Sequence, residues 1–269
     1  RPADGVMLHI TESTLTPGIP APLEVLHVTD LHLLFSDERD SAYIQQHAAS
    51  RTACFPHADQ ALEELKQELR RRAPDLLVLT GDILDFPSQA NLDALHSLVE
   101  NAPCPTLYVP GNHDWSLPQD YHSDAQYRTY MPLFDPFDGA SPDFQLLELG
   151  GVRFAGIDDS RERMTPAQSA HLEEICADGV PVVACMHVPI CEKQLEVRAK
   201  AVWHGANVLI GHEGSTAETR RFCDIASARC HAVLAGHVHF SDETRLPGGA
   251  VQLITALSAE GNIRRIRIE

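Results

Sequence analysis

Short apolar runs recur along the chain at Leu23–Val28, 76–79, Thr106–Val109, 182–186 and Ala232–Ala235, each stopped by a polar or glycine-containing turn. Runs of this length without polar alternation predict strands buried on both faces. Helical spacing fills the intervals. Leu62, Leu65 and Leu69 share one face of a helix predicted over 57–72, which stops before Pro74. Ser88 is placed to cap a helix over Gln89–Glu100. Thr165-Pro166-Ala167-Gln168 is a capping-box start with proline at the first helical position, leading into 167–177. A further helix is predicted over 216–228. Two hairpins are expected: Phe144–Leu149 with Val152–Ile157 about Gly150-Gly151, and 251–257 with 263–268 about a turn containing Gly261-Asn262. Strand–helix alternation followed by hairpins places the chain in the mixed α/β class. Residues 36–56 have weak periodicity and are expected to form a long irregular insert, of the kind that is often functional beside a site.

Composition narrows the function. The 269 residues are 43% hydrophobic, enough for a sizeable core, and are expected to form one domain over 1–269. The formal charge is −17, from 38 acids against 21 bases. Such a surface repels nucleic acid and anionic membrane, so neither is expected as a partner. It repels phosphate esters as well, so phosphate chemistry here requires a local positive charge, which metal ions can supply. The seven cysteines are odd in number and form no CxxC pair, which argues against a disulfide scaffold and a thiolate zinc site. Reduced thiols suggest a cytoplasmic protein. No apolar run approaches the ~18 residues of a membrane-spanning helix. No secretory apolar segment opens the chain, although its start at Arg1 leaves removal of a leader open. Oligomeric state is not legible.

The candidate chemistry sits at strand ends. Asp30-Leu31-His32 follows the first run, Gly81-Asp82-Ile83-Leu84-Asp85 the second, and Gly111-Asn112-His113-Asp114 the third. His187 closes the fourth, and Gly236-His237-Val238-His239 follows the fifth. Ligands of open α/β sheets bind at the carboxyl ends of strands, so these loops can converge. Carboxylate, imidazole and carboxamide groups suit borderline divalent ions such as Mn, Fe, Zn or Co. Asp30 and His32, two apart on an extended strand end, are expected to project the same way, as are His237 and His239. Asp30, His32, Asp82, Asn112, His187, His237 and His239 are too many ligands for one ion and fit two. The glycines are expected to let the backbone turn sharply beside the ligands.

The five blocks, in this order, resemble those of the calcineurin-like metallophosphoesterases. The resemblance spans Asp30 to His239, and the Gly-Asn-His-Asp and Gly-His-x-His blocks are its specific parts. It implies a four-layer α/β/β/α sandwich of two mixed sheets flanked by helices. It implies that Asp30, His32 and His239 bind one metal, that Asn112, His187 and His237 bind a second, and that Asp82 bridges them. His113 would protonate the leaving oxygen or hold the phosphoryl group, and Asp85 would orient His113. The implied activity is hydrolysis of a small phosphodiester, including cyclic nucleotides, by a metal-bound hydroxide. A phosphomonoesterase or nucleotide pyrophosphohydrolase is the alternative, and a non-catalytic scaffold a lesser one. Family protein phosphatases carry Arg directly after the Asp85 position and Glu after Gly-Asn-His; Phe86 and Asp114 stand there instead. The short Gly-Asn-His-Asp form and the Met-Thr-Pro-Ala-Gln helix start are more similar to bacterial class III cyclic nucleotide phosphodiesterases.

Other conspicuous residues have plainer readings. His27 and His231 are expected to be satisfied core histidines, and Asp114 a local turn acid. Asp85 taken alone could simply cap the turn that follows it. His212 reads as a loop residue. Cys185 and Cys191 read as small hydrophobes. Arg70-Arg71-Arg72 reads as a solvated helix end.

Overall fold

A computed structural model describes residues 6–134 and 143–269. In the first sheet β2 (Leu23–Val28), β3 (Leu76–Thr80) and β4 (Thr106–Val109) are parallel neighbours. β11 (Asn262–Ile268) lies antiparallel beside β2, and β1 (His9–Leu15) pairs parallel with β11 at the edge. The second sheet centres on four parallel strands, β6 (Val152–Ile157), β7 (Val182–Cys185), β8 (Ala232–Ala235) and β10 (Val251–Ile254). Antiparallel β5 (Phe144–Leu149) and β9 (Asp242–Arg245) form its edges.

Alternate residues of the central strands face opposite layers, which explains why their runs are largely apolar. Leu23, Val25, Leu76, Val78, Leu107 and Val109 of the first sheet meet Val152, Phe154, Val183, Ala232, Leu234 and Leu253 of the second. Leu26, Val28, Leu77 and Leu79 face the other way, onto α2 (Ala58–Arg72) and α3 (Gln89–Glu100). Ala155, Ile157, Val182, Ala184 and Val233 face α5 (Pro166–Ile175) and α7 (Ala217–Arg229). Two mixed sheets packed face to face, with helices outside, make the α/β four-layer sandwich. Polar links cross the inner layer. Arg264 of β11 donates to Ser13 Oγ at 2.5 Å, Ser241 Oγ at 2.7 Å and the Ile254 carbonyl at 2.7 Å. His27 of β2 lies 2.7 Å from Thr80 Oγ1 and 2.7 Å from Thr255 Oγ1.

The capping signals hold: Ser88 accepts from Asn91 N, and Thr165 and Gln168 complete a capping box. Three expectations fail. The segments 251–257 and 263–268 do not pair as a hairpin; β10 belongs to the second sheet and β11 to the first. The turn between them is a crossover, in which Ser258 exchanges hydrogen bonds with Thr29 and Gly261 (φ 83°) ends a short 3-10 turn. The insert over 36–56 is not wholly irregular. It contains α1 (Ala42–Arg51), capped by Ser41, whose buried residue Ala48 packs with Phe86 and Leu117. A helix that buries one small residue shows little periodicity. His231 enters β8 half-buried rather than in the core. α4 (Asp124–Tyr130), α6 (Lys193–Val202), β1 and β9 also went unread.

Candidate metal centre

The loops after β2 and β3 continue to ladder beyond the strands. Asp30 N donates to Gly81 O, His32 N to Asp82 O and Leu33 N to Ile83 O, each at 2.9 Å. Within that ladder Asp30, His32 and Asp82 take left-handed backbone angles (φ 52°, 46° and 50°), and His237 and His239 do the same (67° and 60°). The side chains of Asp30 and His32 therefore converge through left-handed turns, not through the extended strand end expected from sequence. The glycine expectation needs the same revision. Gly81 has φ 82°, but Gly111 and Gly236 are absent from the left-handed region. They serve close approach: a Cβ on Gly236 would lie 1.9 Å from Thr29 Oγ1, and one on Gly111 2.2 Å from Asp82 Oδ1.

Two clusters of acceptor atoms result. His187 Nδ1 donates to the Thr80 carbonyl at 2.7 Å, which in the neutral ring fixes the tautomer and puts the lone pair on Nε2. That lone pair faces Asn112 Oδ1 at 3.2 Å, His237 Nδ1 at 3.2 Å and Asp82 Oδ2 at 3.2 Å. Asn112 Nδ2 donates to Tyr121 Oη at 2.9 Å, so its carbonyl oxygen is the atom turned inward. In the second cluster His32 Nδ1 donates to Asp85 Oδ1 at 2.8 Å. Its Nε2 lies 3.3 Å from His239 Nε2, 3.9 Å from Asp30 Oδ1 and 3.9 Å from Asp82 Oδ2. Asp82 Oδ2 thus faces both clusters, while its Oδ1 is held by His113 N at 2.8 Å. Asp30 Oδ2 is anchored by Thr29 Oγ1 at 2.8 Å and His237 N at 2.9 Å. Among the described residues its buried Oδ1 has no well-aligned hydrogen bond and faces His239 Nε2 at 3.3 Å. Imidazole nitrogens and carboxylate and carboxamide oxygens facing one another at 3.2–3.9 Å fit cations between them. Asp30, His32 and His239 form one potential metal-holding group, Asp82, His187 and His237 another, and His32, Asp82 and His113 a third that overlaps both.

The charge balance points the same way. Burial pushes the Asp30 carboxyl up, but the imidazoles of His239 and His187 outweigh it and hold it at about 2. Burial lowers His187, yet the Asp82 carboxylate overrides it and raises the ring to about 10 in the metal-free chain. His113 stands beside the clusters, 25% exposed, with Nδ1 3.3 Å from Asp85 Oδ1. Its Nε2 lies 3.1 Å from Tyr121 Oη. Burial lowers this ring too, but Asp82 and Asp85 raise it to about 9. Asp114 is more than a local turn acid. Its carboxylate accepts from Gly111 N at 2.6 Å and, across loops, from Asp82 N at 2.8 Å and Leu84 N at 2.7 Å. Asp85 binds His32, His113 and Arg51 at once, so capping is not its role.

The description "Calcineurin-like phosphoesterase" matches residues 23–241. The chain belongs to the calcineurin-like phosphoesterases. Relatives include a probable cyclic nucleotide phosphodiesterase of Synechococcus, 36% identical over 36% of this chain and 33% of that one. A 3',5'-cyclic-nucleotide phosphodiesterase of Nostoc is 31% identical over 37% of this chain and 34% of its own. A cAMP/cGMP dual specificity phosphodiesterase of Mycobacterium tuberculosis is 24% identical over 86% of this chain and 66% of its own. The chain thus spans about a third of the first two and 66% of the third. A dimetal phosphatase structure from Danio rerio shares the fold, with a TM-score of 0.53, 12% identity and 88% of each chain covered.

Sequence reading of this phosphoesterase missed four supporting groups. Arg51 reaches Asp85 from α1. Tyr121 joins Asn112 and His113. Phe55 stacks on His32 with centroids 4.1 Å apart. Asp159, fully buried, accepts from His187 N and Val188 N at 2.8 Å each and so holds the His187 loop. Asp159 lies two residues past the β6 strand, as Asp30 does past β2, and that signal could have found it. His212 stays in a loop, bonded to Gly214 N. All seven cysteines are free thiols, and among the described residues no helix is long and apolar enough to cross a membrane.

Proposed function

We propose that this phosphoesterase hydrolyses small phosphodiesters, cyclic nucleotides among them, with two divalent metal ions. Asp30, His32 and His239 would hold one ion, Asn112, His187 and His237 the other, and Asp82 both. The observation that carries the reading is Asp82 Oδ2, turned at once toward His187 Nε2 at 3.2 Å and His32 Nε2 at 3.9 Å. When bound, such ions supply a nucleophile at neutral pH and offset charge on phosphoryl oxygens. Manganese, iron and zinc all suit the donors. His113 then acts as the acid, giving its Nε2 proton to the leaving oxygen while Asp85 holds Nδ1. Tyr121 Oη, hydrogen-bonded beside that Nε2, marks where a polar oxygen sits. Asp85 stays ionised throughout: burial pushes its carboxyl up, but the bonds from Arg51, His113 and His32 outweigh burial and hold it far below the carboxylate range.

The names of the bacterial relatives favour cyclic nucleotides as substrates. A monoester carries more charge and calls for further cationic groups, whereas Arg51 has its Nε and Nη2 committed to Asp85. The test is a panel of bis-p-nitrophenyl phosphate, p-nitrophenyl phosphate, cAMP and cGMP, run with Mn and then Zn. The diester and at least one cyclic nucleotide should turn over. His113→Ala should lose about 10²- to 10⁴-fold in turnover while keeping its metal content. Wild-type turnover in that variant would remove His113 from the mechanism, and an enzyme that loads no metal would remove the whole reading.

A further inference from the structure

We infer that Arg51 is a positioning residue, clamping Asp85 so that one carboxylate oxygen aims both His32 and His113. This rests on the reading of His32 as a ligand and His113 as the acid. Arg51 is the last residue of α1, and its Nε donates to Asp85 Oδ2 at 2.7 Å while Nη2 donates to Oδ1 at 2.9 Å. A two-pronged guanidinium pairing fixes both the plane and the distance of a carboxylate, which one ammonium cannot do. With the plane fixed, Oδ1 reaches His32 Nδ1 at 2.8 Å and lies 3.3 Å from His113 Nδ1, which also hydrogen-bonds the Asp85 main-chain carbonyl at 3.3 Å. The carboxyl torsion of aspartate is broad, so without the clamp the carboxylate is held only through Oδ1, by His32 Nδ1 and the nearby His113 ring, and Oδ2 loses its partner.

Two further contacts support the assignment. The Arg51 guanidinium lies 5.1 Å from the Phe55 ring centroid, and Phe55 stacks on His32 at 4.1 Å with a 3° interplanar angle. The segment around α1 therefore holds His32 from two sides, through the ring and through Asp85. Charge gives Arg51 a second reason to be there. Asp30 and Asp82 fall in the metal-holding groups and Asp85 does not. Asp85 is wholly shielded from solvent, and the 28%-exposed Arg51 side chain neutralises it in place. An unpaired third carboxylate at this distance would compete with the imidazoles for a cation.

The test compares wild type, Arg51→Met, Arg51→Lys and Arg51→Ala as full chains. Turnover of bis-p-nitrophenyl phosphate with Mn is measured alongside metal content. Arg51→Met should lose about 10- to 100-fold in kcat with KM little changed and metal content kept. Arg51→Lys should restore only part of the loss. Added guanidinium ion should raise the turnover of Arg51→Ala and leave wild type unaffected. A readout independent of activity is proton NMR of the metal-free chain, where the carboxylate-bonded ring N–H signals of His32 and His113 should be present in wild type and shifted or lost in Arg51→Met. Wild-type kcat in Arg51→Met, a loss confined to KM, absence of guanidinium rescue or an unchanged NMR signature would each overturn the inference. A wild type that cleaves no ester would instead sink the proposed function, and the NMR comparison would still judge Arg51. Should Arg51→Met fold poorly, Arg51→Lys carries the same NMR comparison.

Discussion

His27 makes the stability of this protein fall as the solution is acidified. The ring is fully buried between the sheets and bonded at both nitrogens to threonine hydroxyls. Burial first, and the Arg264 charge second, lower its pKa from 6.5 to about 3 against a small opposing pull from Asp30. The folded state therefore refuses a proton that the unfolded chain accepts. Above pH 6.5 neither state binds it and there is no penalty. As pH falls below 6.5 the unfolded state gains the proton alone, and the penalty grows until the folded ring also titrates near 3. At about pH 5 the unfolded ring lies roughly 1.5 units below its own pKa, which at about 1.4 kcal/mol per unit is a loss of about 2 kcal/mol relative to pH 7. His27→Gln keeps a donor and an acceptor for Thr80 and Thr255 but has nothing to titrate. Urea unfolding of both chains in chelator, between about pH 7 and pH 5, isolates the contribution. Wild type should lose about 2 kcal/mol more than His27→Gln over that range. Slopes that agree within about 0.5 kcal/mol would refute the reasoning.

Two other expectations follow from the centre's supports. Gly236→Ala would drive a methyl into Thr29 Oγ1 and to 2.5 Å from Asp30 Oδ2. It should cost about 1–3 kcal/mol in unfolding free energy and lower the metal bound per chain; wild-type metal content would contradict it. Asp159→Ala strips two buried N–H groups of their acceptor, at about 1–3 kcal/mol each, and frees the His187 loop. Its unfolding free energy should fall by roughly 2–6 kcal/mol, and a fall under about 1 kcal/mol would show that water or another group takes over.

The parts legible in the sequence were those that leave a local mark. β2, β3, β4, β7 and β8 are buried on both faces, so their runs are apolar at nearly every position, and a polar block at a strand end stands out against them. β1 and β9 leave no such mark: β1 is an edge strand with most residues exposed or half-buried, and β9 reads Asp242-Glu243-Thr244-Arg245 without one apolar residue. Arg51 and Tyr121 were invisible for another reason. Arg51's partner Asp85 lies in another loop, and Tyr121 meets Asn112 and His113 only because the loop between β4 and α4 folds back on itself, nine and eight residues apart. The Gly261-Asn262 turn was seen but misassigned, because a turn signal does not say whether the next strand returns to the same sheet.

The backbone around the centre explains why groups that touch no substrate can matter as much as the ligands. Asp30, His32, Asp82, His237 and His239 all occupy left-handed angles that side-chain-bearing residues resist, at about 1–3 kcal/mol each, and glycine cannot relieve them without deleting a donor. Such angles persist only when surrounding bonds over-determine them. Here the ladder from Asp30, His32 and Leu33 to Gly81, Asp82 and Ile83 does so, with Asp114 tying Asp82 and Leu84 to Gly111 and Asp30 Oδ2 tying His237. These bonds also press acceptor atoms together in a chain of formal charge −17, an arrangement that repels itself until a cation intervenes. The sheets' buried apolar faces oppose that repulsion, and the loops convert it into two clusters aimed in advance. Loosening Asp114 or Thr29 would therefore disperse the acceptors even with every residue of the two clusters intact.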